Sequence, residues 1–178
     1  MLDDRQLFES YKENVYCYCL YMTGSKADAE DVCQEVFVKA LLAKRSEIEN
    51  EKAWLMRIAA NECYSMFRRR SKGRDKESKA FWLGWPLRSN PSVEKSYERQ
   101  ETASEFVKLL EQLPGKLRQV LLLHYIGELS HTEIADVLKI PVGTVKSRLS
   151  RAIAKLKKLA KHTEVTLERG SDIHATRG

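Results

Sequence analysis

Glycine and proline are scarce in this sequence, which has eight glycines and four prolines among 178 residues. Such scarcity argues against a turn-rich β sandwich and favours an all-α fold. No stretch approaches the run of about 18 apolar residues that predicts a membrane-spanning helix. The N-terminus lacks the basic and then apolar segments of a secretory signal, so we expect a cytoplasmic protein.

Cysteine is also infrequent, and its spacing excludes the simplest metal site. The four cysteines are Cys17, Cys19, Cys33 and Cys63. Cys17 and Cys19 lie two residues apart in a predicted helix, where a rotation of about 200° prevents both from binding one ion. We interpret the four as small, buried, reduced side chains, and His124 and His131 as structural or solvent-exposed. The sequence therefore predicts no metal site and no cofactor.

Positive charge is concentrated in two separate blocks of the chain. Residues 51–79 carry nine basic and four acidic side chains, and residues 114–161 carry ten basic and three acidic ones. Residues 1–50, in contrast, carry six basic and ten acidic side chains. Two separated basic blocks predict two contacts with a polyanion. A generically basic soluble protein would not require this segregation and would not exclude it.

Apolar residues recur at helical spacing in three consecutive segments of the first half. The three stripes consist of Phe8, Tyr11, Val15, Tyr18, Cys19 and Met22, then Ala29, Val32, Cys33, Val36 and Ala40, then Leu55, Ile58, Ala59 and Met66. Residues 23–25 separate the first two predicted helices, and the polar stretch 44–51 is predicted to be a loop. The third helix is predicted to run from about Lys52 to Arg70.

The character of the sequence changes between residues 73 and 91. Charged residues and glycine come first, and the aromatic residues Trp82 and Trp85 are followed by prolines. These features predict a flexible linker between two small helical domains. We place the first domain at 1–72, the linker at 73–91, the second domain at 92–161 and a disordered tail at 162–178.

The second domain contains the strongest motif of the chain. Ser130 and Glu133 have the spacing of a capping box, which predicts the start of a short helix. A four-residue turn at 140–143 follows, and then a long helix whose apolar side includes Val145, Leu149, Ala152, Ile153, Leu156, Leu159 and Ala160. This layout is that of a helix-turn-helix, whose second helix lies in the major groove of DNA.

The start of the long helix carries the predicted DNA contacts. The residues placed to read bases and bind phosphates are Thr144, Lys146, Ser147, Ser150 and Arg151. All but the first lie opposite the apolar stripe. Four lysines farther along are expected to contact phosphates or to remain solvated, namely Lys155, Lys157, Lys158 and Lys161. An ordinary helical hairpin with a charged surface is the alternative.

Long parts of both domains resemble the extracytoplasmic-function (ECF) sigma factors of the sigma-70 family. Their region 4 resembles LPGKLRQVLLLHYIGELSHTEIADVLKIPVGTVKSRLSRAIAKLKK. Their region 2.2 resembles DAEDVCQEVFVKAL from Asp28, and their regions 2.3 and 2.4 resemble AWLMRIAANECYSMFRRR from Ala53. The resemblance covers residues 5–161. It implies a subunit that binds core RNA polymerase and directs promoter-specific transcription initiation, with no catalytic residues of its own.

The resemblance assigns roles to two faces of the first domain. Family region 2.2 binds a coiled coil of the polymerase β′ subunit, and the matching positions are Asp31, Gln34, Glu35 and Val38. Family region 2.4 binds the downstream (−10) promoter element, and the matching stripe consists of Trp54, Arg57, Asn61, Tyr64 and Arg68. Such a mixture suits unpaired bases, because aromatic rings stack on them, arginine binds phosphates, and asparagine donates and accepts hydrogen bonds.

Two neighbouring segments receive roles from the same resemblance. In the family, the loop before this helix captures a flipped base, which would place that contact within 44–51. The arginines at 68–70 are expected to follow the DNA backbone.

The remaining implied partners concern the second domain and the whole chain. Family region 4 reads the upstream (−35) element through its second helix and contacts the polymerase β flap. Promoter DNA is therefore expected in both double- and single-stranded form, with no small-molecule substrate. Family members are commonly held inactive by a membrane-anchored anti-sigma factor, so such a partner is also implied.

Two other classes of function are weighed against this one. A helix-turn-helix regulator that binds a palindromic operator as a dimer would need a dimerisation surface and an effector pocket, and the sequence shows neither clearly. An enzyme is disfavoured because the sequence has no glycine-rich phosphate loop and no nucleophile–base pair. The only cluster of carboxylates on a common helix face lies in the segment 28–31, and we interpret that cluster as solvated.

Overall fold

Every regular element in the described residues of this computed structural model is an α-helix, and those residues are 2–71 and 106–163. The N-terminal half contains α1 (Asp4–Thr23), α2 (Lys26–Leu42) and α3 (Glu51–Ser71). The C-terminal half contains α4 (residues 106–111), α5 (Gly115–Tyr125), α6 (His131–Leu138) and α7 (Val142–Thr163). The all-α fold expected from the sequence is confirmed. The predicted linker with its two tryptophans and most of the predicted tail lie outside the described residues.

The first two helices begin and end as local chemistry dictates. Asp3 caps α1, since its carboxylate accepts the Gln6 amide at 2.8 Å and the Gln6 side chain accepts the Asp3 amide at 3.1 Å. Gly24 ends α1 with a φ of 68°, a left-handed conformation that favours glycine. Ser25 then accepts the Asp28 amide and caps α2. The predicted break at 23–25 is therefore a C-cap followed directly by an N-cap.

The apolar stripes of the three N-terminal helices face one another. Val15, Val36, Leu55 and Ala59 are fully buried, and α1 packs against both α2 and α3. The predicted stripe of α1 is wrong at its first position, because Phe8 is 43% exposed and the preceding Leu7 is fully buried. Phe8 instead lies on the surface, with its ring edge-to-face against Phe37 at 4.8 Å between centroids.

The cysteines behave as small apolar side chains. Cys19 and Cys63 are fully buried where α1 meets α3, and Cys17 and Cys33 are half-buried. Burial, together with the neighbouring Cys19 and Cys17, raises the pKa of the Cys33 thiol to about 12. All four are free thiols, and the raised pKa values of Cys17, Cys19 and Cys33 keep those three protonated and poorly nucleophilic at neutral pH.

The two halves pack against each other through a shared core. Buried side chains form one continuous cluster that extends from Leu7 in α1 to Leu156 in α7. α1 contacts α5 and α3 contacts α6. An edge-to-face pair of Tyr21 and Phe106 adds to this contact between the two halves, which we call the seam, with 5.6 Å between ring centroids. The two halves therefore form one compact body.

Arg118 lies inside this body, only 1% exposed. Its guanidinium donates to the Met22 carbonyl at 3.1 Å, the Glu111 carbonyl at 3.0 Å and the Leu113 carbonyl at 3.2 Å. These carbonyls belong to the last turn of α1, the end of α4 and the turn after it. The last carbonyls of a helix have no hydrogen-bond donor within that helix. The Arg118 guanidinium supplies donors to such carbonyls in both halves of the chain.

Burial also affects the pKa of this guanidinium. Desolvation lowers the pKa of Arg118 to about 10, against a smaller raising effect of the Glu111 carboxylate. The group therefore stays positively charged at neutral pH. A positive charge at the C-terminal ends of two helices is electrostatically favourable, because that end of a helix carries partial negative charge.

Replacing Arg118 by methionine should lower the free energy of unfolding by about 3 kcal/mol, because the three carbonyls would remain buried without donors. Urea denaturation followed by circular dichroism measures the change. Lys116→Met, at an exposed position of the same helix, is the control and should change stability by less than about 0.5 kcal/mol. Equal stabilities for both variants would contradict this role of Arg118.

Candidate nucleic-acid interface

The helix-turn-helix begins at the predicted capping box. The Glu133 amide donates to the Ser130 hydroxyl at 3.3 Å, and the Glu133 carboxylate accepts the Ser130 amide at 2.7 Å. Hydrogen bonds from the Ser130 hydroxyl and amide hold the pKa of Glu133 below its ordinary value. The apolar side of α6 is set by Ile134 and Val137, which are buried. Lys139 ends the helix with a φ of 54°.

The turn is shorter than the sequence predicted. The prediction placed it at 140–143, whereas α7 already begins at Val142. The Pro141 carbonyl accepts the amides of Thr144 at 2.9 Å and Val145 at 3.1 Å, so the first helical turn closes around Gly143. A Cβ added at Gly143 would meet nothing within 4 Å. Gly143 is therefore exposed to solvent at the start of the helix.

The predicted reading face of α7 lies at the surface. Lys146, Ser150 and Arg151 are exposed, while Thr144 and Ser147 are half-buried. The Ser147 hydroxyl donates to the Thr144 carbonyl at 3.1 Å, so it is partly engaged inside the helix. Of the lysines farther along, three have described side chains and are exposed, namely Lys155, Lys157 and Lys158.

The predicted downstream-element stripe runs along the outer face of α3. Four of its members are exposed, and Trp54 is half-buried; the exposed members are Arg57, Asn61, Tyr64 and Arg68. The opposite face of α3 packs into the core through Leu55, Ala59 and Cys63. One helix thus presents cationic, amide and aromatic groups along a single line.

The end of α3 contains an ion pair that the sequence did not predict. Both guanidinium nitrogens of Arg70 bind the Asp28 carboxylate, one of them at 2.7 Å. The hydrogen bonding from Arg70 is the largest of the effects that lower the pKa of Asp28 below its usual value. The two residues are 42 positions apart, so neither helical periodicity nor a local motif could reveal the pair. The interpretation of Asp28 as merely solvated was wrong.

The loop before α3 is anchored at both ends. Arg45 donates to the Leu2 carbonyl at 3.1 Å and binds the Asp4 carboxylate. Asn50 accepts the Ala53 amide at 2.9 Å and caps α3, which begins at Glu51, one residue before the predicted start. The segment expected to capture a flipped base is therefore fixed to the N-terminus of α1 and to the start of α3. Sequence reasoning named neither anchor.

The predicted polymerase-binding face of α2 is also exposed. It contains Asp31, Gln34, Glu35 and Val38, the last of which is 44% exposed. The same helix ends in Leu41 and Leu42, which are 49% and 82% exposed. An acidic segment followed by exposed apolar side chains is typical of a protein-binding surface rather than a nucleic-acid-binding one.

Neither a metal site nor a membrane span is found in the parts of the chain that the structure describes. No group of three or more potential ligands comes together within residues 2–71 and 106–163. His124 and His131 stack on each other with 5.3 Å between ring centroids, and His124 Nδ1 lies 3.0 Å from the Leu129 carbonyl. Over the same ranges, every helix is too short or too polar to cross a bilayer.

Comparison with known proteins identifies both halves. Residues 7–73 match the family model of sigma-70 region 2, and residues 103–156 match that of sigma-70 region 4. The chain is 33% identical over 160 residues to the ECF RNA polymerase sigma factor SigW of Bacillus subtilis, which covers 85% of this chain and 86% of SigW. The RNA polymerase sigma-H factor of Pseudomonas aeruginosa is 32% identical over 162 residues, covering 84% of this chain and 83% of that protein.

Solved structures share the fold. The sigma factor RpoE of Bartonella quintana, in complex with the anti-sigma factor NepR, superposes with a TM-score of 0.74 at 27% identity over 89% of this chain and 97% of that one. CnrH, solved with the cytosolic domain of CnrY, has a TM-score of 0.63 at 22% identity over 89% of this chain and 88% of that one.

The Asp28–Arg70 pair leads us to expect that two adjacent arginines respond differently to substitution. Arg70→Met should cost about 0.5–1 kcal/mol of stability, because a bidentate pair is lost, and should leave the salt dependence of DNA binding unchanged. Arg69→Met should leave stability unchanged and reduce the slope of log K against log salt by about 0.7, since one phosphate contact to a single strand is lost. Fluorescence anisotropy titrations with single-stranded DNA at several salt concentrations measure the slopes, and urea denaturation of both variants measures the stabilities. A reduced slope for Arg70→Met alone would refute the assignment.

Proposed function

Because the chain belongs to the ECF group of the sigma-70 family of RNA polymerase sigma factors, we propose a role for each exposed face described above. Members of this family initiate transcription and are not enzymes, so binding energy takes the place of bond chemistry. The chain binds core polymerase, directs it to promoters and contributes to opening them.

The stripe on α3 binds the downstream element as a single strand. The observation that carries this proposal is the exposure of Arg57, Asn61 and Tyr64 along one helix whose other face is buried. Tyr64, which is 42% exposed, provides a ring on which a base can stack. Asn61 offers both a donor and an acceptor to a base edge. These interactions offset the few kcal/mol that unstacking a base costs.

The start of α7 reads the upstream element as a duplex. Lys146, Ser150 and Arg151 project from the first turns of this helix, the part that reaches base edges in a helix-turn-helix. Arg151 is the best candidate for a bidentate contact to guanine, because a guanidinium matches the two acceptors of that base. The lysines near the end of α7 contribute phosphate contacts without sequence preference.

The exposed face of α2 binds the polymerase. Asp31, Gln34 and Glu35 supply charge and hydrogen bonds, and Val38 supplies apolar area. We assign the coiled coil of the β′ subunit to this face and the β flap to the C-terminal half. Since RpoE of Bartonella quintana is solved with an anti-sigma factor, an anti-sigma factor is a further proposed partner of this chain, which we place in the cytoplasm.

The purified protein should associate stably with sigma-free core polymerase and initiate transcription at sites that share two spaced sequence elements. Glu35→Arg should weaken association about tenfold, because it reverses a charge within the proposed face. Lys26→Ala, at an exposed position of the same helix away from that face, is the matched control. Size-exclusion chromatography and transcription from a genomic library measure both steps. Failure to associate, together with tight binding to a palindromic duplex, would favour the dimeric regulator instead.

Substitutions should impair the two proposed promoter-reading faces independently of each other. Asn61→Ala should impair promoter opening, measured by permanganate reactivity of unpaired thymines, and should leave upstream-element binding intact. Arg151→Ala should weaken discrimination at one base pair of the upstream element by about 1–3 kcal/mol. Lys158→Ala, in the same helix, should weaken binding equally at all sequences. Loss of opening in both variants with no change in duplex recognition would contradict these assignments.

A further inference from the structure

Arg45 lies beneath the loop that precedes α3. Its side chain is only 11% exposed, although it belongs to a surface loop. The guanidinium donates to the Leu2 carbonyl at 3.1 Å and binds the Asp4 carboxylate. One of its nitrogens also lies 3.7 Å from a carboxylate oxygen of Glu51. One cation therefore connects the loop to the start of α1 and to the first residue of α3.

The Glu51 carboxylate completes this network. It is 12% exposed, and its two oxygens accept the Leu2 amide at 3.1 Å and 3.2 Å. The Leu2 backbone is thus held at its amide by Glu51 and at its carbonyl by Arg45. Hydrogen bonds that involve an ionised group are stronger than neutral ones. Residues 2–4 are therefore bound to the chain on both sides of the loop.

The last residue of the loop, Asn50, is also engaged. Its side-chain oxygen accepts the Ala53 amide at 2.9 Å, and its nitrogen donates to the Glu133 carboxylate of α6. The polar groups of Asn50, Arg45 and Glu51 all bind other parts of the protein, so none of them is directed toward a nucleic acid. The side chains available to a nucleic acid in this loop are those between 46 and 49.

A single turn presents these side chains. The Ile48 amide donates to the Arg45 carbonyl at 3.0 Å, which closes a turn over 45–48. Ile48 is half-buried, whereas Ser46 and Glu47 are exposed at the tip of the turn. Arg45 closes this turn with its backbone and anchors it with its side chain. The guanidinium therefore fixes where the tip stands.

The tip carries negative charge and hydrogen-bond acceptors. The Glu47 carboxylate can only accept hydrogen bonds, and Glu49 beside it is also exposed. Carboxylates repel phosphates, so this tip is unsuited to the DNA backbone. A carboxylate accepts from the exocyclic amino group of cytosine or adenine, whereas thymine has a carbonyl oxygen at that place. The chemistry of the tip thus favours the edge of a base that carries an amino group.

We propose that Arg45 is a positioning residue for base recognition, and that residues 2–4 act through it. Leu2, Asp4 and Glu51 hold Arg45, Arg45 holds the turn 45–48, and the turn presents Glu47 to one amino-bearing base of the unpaired downstream strand. A tip that is fixed beforehand loses less conformational entropy on binding than a mobile one. The inference rests on the proposed binding of a single strand by the N-terminal half, and it adds a determinant of specificity outside the stripe on α3.

A discrimination ratio tests the role of the tip. It is the dissociation constant of a short oligothymidine strand divided by that of the same strand with one central cytidine or adenosine. Fluorescence anisotropy with the full-length protein gives both constants. We expect a ratio of about five for one of the two bases, which is the effect of one hydrogen bond. Glu47→Ala should lower the ratio to about one, whereas the control Glu49→Ala, outside the turn, should preserve it.

The same ratio tests the positioning role of Arg45. Arg45→Met should lower it to below about two, because the tip is no longer held. Arg5→Met makes the same change at an exposed position of α1 and should leave the ratio unchanged. The loss of a positive charge or of stability weakens binding of both strands equally and does not change their ratio. An unchanged ratio in Arg45→Met would therefore overturn the proposal.

Asp4→Asn tests the contribution of the N-terminal residues and does not depend on how well Arg45→Met folds. Asp4 is 65% exposed, so its substitution costs little stability, and the ratio should fall about twofold. Glu9→Gln is the control, because it removes the carboxylate of another ion pair on α1, with Lys12. Equal ratios in these two variants would refute the role of residues 2–4.

The outcomes separate this inference from the proposed function. If the ratios change as expected while the protein fails to bind core polymerase, the positioning role stands and the proposed function fails. If the protein binds polymerase and opens promoters while the ratio of the parent is about one, the positioning role fails alone. Failure of the parent to bind either strand would overturn the proposed single-strand binding and this inference with it.

Discussion

The buried positive charge of Arg118 is the constraint on which the relation between the two halves depends. A guanidinium removed from water is costly unless its donors find acceptors, and here helix-end carbonyls accept hydrogen bonds from both of its terminal nitrogens. Those carbonyls in turn would be unpaired without it. Because one acceptor is Met22 of α1 and the others are Glu111 at the end of α4 and Leu113 just after it, the hydrogen bonds form fully only when the halves are packed together.

Helix caps connect this architecture to the proposed promoter-binding segments. The Ser130–Glu133 capping box orients α6, and through the short turn it sets where α7 begins. The Asn50 cap likewise sets where α3 begins. Because caps fix both the direction and the first residue of a helix, they determine which side chains reach the surface near its N-terminus. The same cap residues also meet across the seam, which couples the placement of two helices to domain packing.

Much of the candidate site could be predicted from the sequence. Periodicity placed Asn61 and Arg151 on exposed helix faces, and the structure agrees, because an amphipathic helix has only one way to bury its apolar side. The prediction was wrong where local pattern is ambiguous. Leu7 and Phe8 are adjacent apolar residues, and either could face the core. The orientation of α1 about its own axis decides which one is buried. The roles of the exposed faces remain predictions, since exposure alone does not identify a partner.

What the sequence by itself determined is the set of helices, their caps and the chemistry of their outer faces, because these depend on residues within one or two turns of each other. The family of the chain was likewise readable from contiguous segments. Only the tertiary structure decided which distant residues meet: Arg70 with Asp28, Asn50 with Glu133, Arg118 with Met22. Such pairs join residues 42 to 96 positions apart and depend on the angles between helices, which no local pattern encodes.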